Sequence, residues 1–200
     1  MSKKAFVVQD KYFLEAKRQG FRARSAFKLL EIQEKFNLIK PGFNILDIGA
    51  APGSFLQVIR KIIGDTGKIV GIDIQKIEKL NFPNIYLIQE SIFETEKIVA
   101  ELEKIGIKQF DLITSDIAPS TTGQSGVDQY RSVELNLAIL DVADIFLKKG
   151  GNLVLKVFIG EDVDDLVRPI KKRYKTLRRI KPRACRDRSF EEYFVCLNKI

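Results

Sequence analysis

The stretch Asn44-Ile-Leu-Asp-Ile-Gly-Ala-Ala-Pro-Gly53-Ser-Phe constrains the fold more than any other part of the chain. A short apolar run that closes on an acid, breaks into small residues and feeds a helical pattern over 54–63 predicts a buried strand, its loop and the following helix of an open α/β sheet. Gly49 and Gly53 have no Cβ, so the loop backbone is open to close approach. The next run, Lys68-Ile-Val-Gly-Ile-Asp73, ends in an acid twenty residues beyond Gly53, about where such sheets hold a ribose hydroxyl. An adenosine-type cofactor at the carboxyl ends of the strands is the first reading, against an ordinary tight strand-to-helix turn.

The glycine pattern narrows the cofactor. The dinucleotide fingerprint G-x-G-x-x-G is missing, since the loop reads Gly49-Ala-Ala-Pro-Gly53, and a loop without it is poorly matched to a pyrophosphate. S-adenosylmethionine carries no phosphate, and Asp-x-Gly-x-x-x-Gly resembles the first motif of class I methyltransferases.

At 200 residues the chain has the length of one domain. Residues 1–200 are therefore expected to form a single unit, with basic helices within 1–40 as its extension. Without a long apolar run or a signal segment, a soluble, cytoplasmic protein with no membrane partner is expected. Two cysteines make no disulfide framework, and the absence of histidine argues against zinc and leaves proton chemistry to Lys, Asp, Glu or Tyr. No metal is expected. Charge is uneven: eight Lys/Arg face two acids in residues 1–28, fifteen face twenty-one in 29–170, and eleven face three in 171–200. Basic ends around an acidic centre point to a polyanion held where the termini meet.

Lys11 to Gly20 reads as a short helix stopped by glycine, and a second helix follows Ser25 as its N-cap, with Lys28 one turn in. Strands are expected at 84–89, 110–115 and 152–158, with helices at 94–105 and 131–147 and a Ser/Thr/Gly-rich loop from Ser120 to Gly126. This alternation predicts a mostly parallel, doubly wound α/β sheet with helices on both faces and a last strand from Ser189 to Leu197. Lys156 interrupts an apolar strand, where a charge is costly unless paired or snorkelling. Asp116 and Lys156 both fall at strand C-ends, where such sheets keep their sites. In the last strand, alternation sends Glu191, Tyr193 and Val195 to one face and Glu192, Phe194 and Cys196 to the other, without saying which Glu meets a site.

Lys11-Tyr12, Arg24-Ser-Ala-Phe-Lys28-Leu, Leu46-Asp-Ile-Gly-Ala-Ala-Pro-Gly53, Ser115-Asp-Ile-Ala-Pro119, Leu155-Lys-Val-Phe158 and Arg188-Ser-x-Glu191-x-Tyr193 together resemble the FtsJ (RrmJ-type) RNA ribose 2′-O-methyltransferases. The resemblance runs from about residue 10 to the end. It implies a Rossmann-like class I methyltransferase fold with an antiparallel C-terminal strand. It also implies a tetrad of Lys28, Asp116, Lys156 and Glu191, which selects Glu191 over Glu192. S-adenosyl-L-methionine contacts are implied at Gly53, Phe55, Asp73 and Asp116. Ser91 stands where the family commonly has an aspartate at the adenine, with Glu90 as a neighbouring substitute.

The chemistry that resemblance implies is transfer of a methyl group to an RNA 2′-hydroxyl, a weak acid and weak nucleophile that needs alignment and a base. Lys156 is the expected base, Asp116 its orienting partner, and Lys28 and Glu191 position the ribose and balance charge. Arg18, Arg22 and Arg24 at one end, with Lys171, Lys172, Arg173, Arg178 and Arg179 at the other, are expected to grip phosphates beside the tetrad. Large-subunit rRNA is the first substrate to consider and tRNA the next. The alternatives are an N-methyltransferase, opposed by the lack of a full Asp-Pro-Pro-Tyr motif, a nicotinamide-dependent dehydrogenase, and a non-catalytic RNA-binding or ribosome-assembly module on the same fold.

Overall fold

Strand β1 (Ile45–Ile48) is buried along its whole length, as expected for a continuous apolar run covered on both faces of a parallel sheet. The computed structural model describes residues 11–186 and 189–200. The first ten residues of the expected basic extension, and Arg188 of the Arg-Ser-x-Glu-x-Tyr motif, lie outside the described residues. Helices α1 (Lys11–Arg18) and α2 (Ala26–Phe36) precede β1. After it come α3 (Ser54–Ile63), β2 (Ile69–Asp73), β3 (Ile85–Gln89), α4 (Thr95–Ile105), β4 (Phe110–Ser115), α5 (Ser125–Phe146), β5 (Leu147–Phe158), α6 (Val163–Arg173), β6 (Tyr174–Ile180) and β7 (Glu191–Lys199).

The strands form one sheet in the order β3-β2-β1-β4-β5-β7-β6. Neighbours from β3 through β5 pair in parallel, and β7 pairs antiparallel with both β5 and β6. This is the expected mostly parallel sheet with an antiparallel C-terminal strand. Strand order reverses between β1 and β4, so the loops after those two strands diverge and leave a crevice at their carboxyl ends.

Period-two alternation sorts the core into two layers. Ile45, Leu112, Val154, Tyr193 and Val195 pack with α2 and α3 on one face. Leu46, Ile113, Leu155, Phe194 and Cys196 pack with α4, α5 and α6 on the other. Lys199 at the end of β7 donates to the carbonyls of Ala143 (2.7 Å), Asp144 (2.8 Å) and Leu147 (3.0 Å), placing a cation at the carbonyl end of α5. Among the described residues no helix is long and apolar enough to cross a membrane.

Several local expectations change. Ser25 precedes α2 but makes no side-chain cap; its hydroxyl pairs with that of Ser54 at 2.7 Å and so joins α2 to the start of α3. Helix α5 starts at Ser125, inside the run read as a loop. The Asp128 carboxylate accepts from the Thr122 amide (2.7 Å) and the Gly123 amide (3.3 Å), so the preceding polar residues fold back onto its first turn. The basic segment 171–180, read only as a phosphate-gripping surface, also holds the end of α6 and all of β6.

Gly49, the first residue beyond β1, has φ +72°, and a Cβ built there would lie 2.8 Å from the Cα of Ile117. Gly49→Ala is expected to lower the free energy of unfolding by roughly 2–4 kcal/mol, combining left-handed backbone with overlap against a neighbouring loop. A urea midpoint that falls with the m value unchanged would show this, and an unchanged midpoint would refute it.

Candidate active site

The register of β5 on β7 sets Lys156 opposite Tyr193 and Phe158 opposite Glu191. Lys156 shares the parity of Val154, and Glu191 and Tyr193 that of Val195, so all three belong to the face carrying α2. Helix α2 brings Lys28 to the same place. Its ammonium lies 2.6 Å from Glu191 Oε1, and Lys156 Nζ lies 3.2 Å from Asp116 Oδ1 while also donating to the Asp116 carbonyl. The four residues that the resemblance implied therefore meet as two ion pairs. Glu192, on the opposite face, pairs with Arg179 at 3.0 Å instead.

Tyr193 joins the two pairs and was not expected as part of the site. Its hydroxyl donates to Asp116 Oδ1, and its ring centroid lies 5.7 Å from Lys28 Nζ. The sequence signal was present, because alternation already placed Tyr193 on the face of Glu191. The Cys185 thiol donates to Glu191 Oε1 at 3.1 Å, and burial together with that carboxylate pushes the thiol up to about 12. Lys28 and Lys156 are 6% and 7% exposed, so each charge is compensated by its partner rather than by water. Burial pushes the Asp116 carboxyl up, but Lys156, Lys28 and the Tyr193 hydroxyl outweigh it and hold the group below the usual carboxylate range. Burial beside Asp116 and Glu191 moves the Tyr193 hydroxyl far above its ordinary value, so it stays a donor.

Asp116 also lines a cleft of about 410 Å³ at the sheet's switch point. The loops after β1, β2, β3 and β4 contribute Gly49 and Ala51, Asp73 to Gln75, Glu90 to Phe93, and Asp116 to Ser120. Asp73 accepts the amides of Ala51 (2.9 Å) and Gln75 (2.8 Å), which fixes its carboxylate at the lip. The Ser91 hydroxyl accepts the Phe93 amide at 3.3 Å, while the Ser91 amide donates to Glu90 at 3.0 Å. That amide hydrogen bond holds the Glu90 carboxyl below its ordinary range. Ile74 and Phe93 expose apolar surface on the same lip. The charged residues lining the cleft are Asp73, Glu90 and Asp116, and neither Lys nor Arg lines it among the described residues. Such a cleft suits a cationic ligand with a flat apolar group and repels a pyrophosphate.

Other expected residues fall elsewhere. Phe55 is 2% exposed in the core between α2 and α3, and neither it nor Gly53 lines the cleft. Asp47, read as the acid that closes the first strand, accepts from the Thr114 hydroxyl at 2.7 Å, and burial pushes its carboxyl well above the ordinary value. Arg18 pairs with Glu15 on the surface of α1. The Arg22 guanidinium is held by backbone carbonyls, and Arg24 lies one residue before Ser25 at the head of α2.

Lys171, Lys172 and Arg173 form the last turn of α6, which runs back from the carboxyl end of β5. Arg173 binds Asp144 near the end of α5 at 2.8 Å, and Tyr174, the next residue, pairs with Lys199 at the far end of β7 from Glu191. These three cations thus lie at the sheet edge opposite the tetrad, not beside it. Arg178 and Arg179 lie nearer, close to Ile180, which pairs with Tyr193.

A family model described as FtsJ-like methyltransferase matches residues 21–199. The chain belongs to that family. The ribosomal RNA large subunit methyltransferase E of Nitratidesulfovibrio vulgaris is 40% identical over 189 residues, covering 94% of this chain and 92% of the relative. The enzyme of that name from Methanocaldococcus jannaschii is 38% identical, with 94% and 77% covered. A solved Plasmodium falciparum structure described as a ribosomal RNA methyltransferase superposes with a TM-score of 0.79 at 31% identity, covering 90% of this chain and 98% of that one. An Aeropyrum pernix fibrillarin solved with S-adenosyl-L-methionine shares the fold, with a TM-score of 0.59 at 18% identity over 86% of this chain and 76% of its own. S-adenosylmethionine is the cofactor of this methyltransferase, and the acidic cleft with its apolar lip fits it.

Breaking one buried ion pair strands the other charge. Lys28→Met and Glu191→Leu are each expected to cost about 3 kcal/mol of stability, and the double variant to recover most of that loss. Denaturant melts of the three variants measure this cycle, and strictly additive losses would contradict the pairing.

Proposed function

We propose that this methyltransferase modifies the 2′-hydroxyl of a ribose in large-subunit ribosomal RNA. The observation that carries the reading is Lys156, whose ammonium is held against Asp116, a residue that also forms the wall of the cofactor cleft. An aliphatic hydroxyl approaching that wall meets an amine able to take its proton and a carboxylate able to orient it. With no histidine in the chain and both acids of the site paired, Lys156 is the base that fits the task.

S-adenosylmethionine, when bound, would supply the methyl group from its sulfonium, the S–CH3 bond breaking to leave the neutral thioether S-adenosylhomocysteine. Asp116 keeps Lys156 Nζ at the cleft, and Tyr193 fixes the Asp116 carboxylate. As the ribose oxygen gains its methyl group, the O–H bond breaks and Nζ takes the proton to become ammonium. Lys28 and Glu191, paired directly with each other, hold the ribose and offset each other's charge. The names of the relatives support large-subunit rRNA as the substrate, with tRNA second, and assembling ribosomal subunits would bring the protein to the cytoplasm.

Transfer of labelled methyl groups to ribosomal subunits, free rRNA and tRNA, followed by nucleoside mapping, tests the reading. The expected product is a 2′-O-methylribose in large-subunit RNA, formed about 10²–10⁴-fold more slowly by Lys156→Met. Label on a base, or an unaffected Lys156→Met, would contradict it. No transfer to any RNA would favour a non-catalytic assembly module.

The sheet topology also divides the basic residues. Arg178 and Arg183 are exposed towards the tetrad end of the sheet, whereas Lys171 and Lys172 are exposed at the far end. Replacing the first two with Ala is expected to weaken RNA binding and lower the log–log salt slope by about 0.7–0.9 per lost phosphate contact. Replacing the second two is expected to leave both unchanged. Filter binding across a salt series distinguishes the pairs, and equal effects would contradict this division.

A further inference from the structure

We propose that Arg22 is a positioning residue that holds the cofactor cleft in shape from behind, not a phosphate contact. Its Nη1 donates to the carbonyls of Pro52 (2.8 Å) and Glu78 (2.6 Å), and its Nη2 to that of Lys79 (2.8 Å). Pro52 belongs to the loop after β1, and Glu78 and Lys79 to the segment after β2. Those same two segments carry Ala51, Asp73, Ile74 and Gln75 to the cleft. One planar cation therefore fastens two lips of the cleft to each other, without lining it.

Three further observations show that the place is built for this side chain. The Arg22 amide donates to Gln57 Oε1 on α3 at 2.8 Å, and Gln57 Nε2 returns a bond to the Gly20 carbonyl at 2.9 Å, so the backbone entering Arg22 is anchored at both sides. A Cβ at Gly53 would lie 2.8 Å from Arg22 Nη1. The group that approaches Gly53 closely is thus the guanidinium. Finally, three carbonyls in a fork-shaped arrangement match the rigid geometry of guanidinium and not the single head of an ammonium. A side chain with both terminal nitrogens engaged is poorly placed to hold a phosphate as well. The inference rests on the cofactor and not on the choice of methyl acceptor.

The test compares full-length wild type, Arg22→Ala and Arg22→Lys by three measurements. These are titration with S-adenosylhomocysteine, amide hydrogen exchange of the cofactor-free protein, and RNA binding across a salt series. Both variants are expected to bind S-adenosylhomocysteine about tenfold more weakly, from the loss of charge-assisted hydrogen bonds. Both should also exchange faster over residues 49–54 and 76–80, with the RNA salt slope unchanged. If Arg22→Lys matches the wild type in titration and exchange, or if Arg22→Ala lowers the salt slope by about 0.7–0.9 while leaving titration and exchange unaltered, the proposal is overturned. Should Arg22→Ala fail to fold, Arg22→Lys and Gln57→Ala carry the same comparison. A wild type that binds no S-adenosylhomocysteine would refute the cofactor reading, while exchange would still report on Arg22.

Discussion

The ion pair between Lys156 and Asp116 is the interaction on which the rest of the structure depends. It spans the ends of β5 and β4, adjacent strands beside the point where the sheet reverses its order. Burying an ammonium is tolerable only with a compensating charge and hydrogen bonds, and Asp116 provides both with its carboxylate and its backbone carbonyl. Asp116 in turn needs donors, which come from Lys156 and Tyr193. Tyr193 is in place because β7 inserts antiparallel between β5 and β6, and that same strand presents Glu191 to Lys28. The C-terminal strand pair is therefore part of the candidate site as well as of the fold.

Two electrostatic environments meet at Asp116. On one side is a compact set of two cations and two anions, close to neutral and largely shielded from water. On the other is a cleft whose charged lining residues are all acidic. A cationic cofactor and a neutral hydroxyl can approach the same carboxylate from these two sides without either having to carry a compensating charge of its own. The basic residues that would attract a polyanion stand outside the cleft, so substrate attraction and cofactor binding draw on separate parts of the surface.

Much of this was legible in the sequence, because periodicity and strand-end position survive folding. The apolar run before Gly49, the acids at 73 and 116, and the alternation of Glu191 with Glu192 gave the sheet, the cleft and the two faces. What was not legible depended on direction and on partners distant in the chain. Lys171 to Arg173 lie far from the tetrad because α6 runs back across the sheet, and composition does not encode that reversal. Strand β6 is rich in charge, as an edge strand tolerates, so its pattern did not read as a strand. Gly53 and Arg22 each had an obvious reading, as a ligand cradle and a phosphate grip, and neither reading anticipated their proximity to each other. Phe55 lies on the inward side of α3, where it fills the core. The tetrad itself came from the resemblance, since no spacing rule ties residue 28 to residue 191.

The most direct test of the central claim is single-turnover methyl transfer to large ribosomal subunits by wild type and Lys156→Ala, each measured with and without added methylamine. If Lys156 takes the hydroxyl proton, Lys156→Ala is slowed by about 10²–10⁴-fold, and added methylamine restores part of its rate while leaving the wild type unchanged. A Lys156→Ala rate equal to that of the wild type, with methylamine changing neither, would contradict a proton transfer to Lys156.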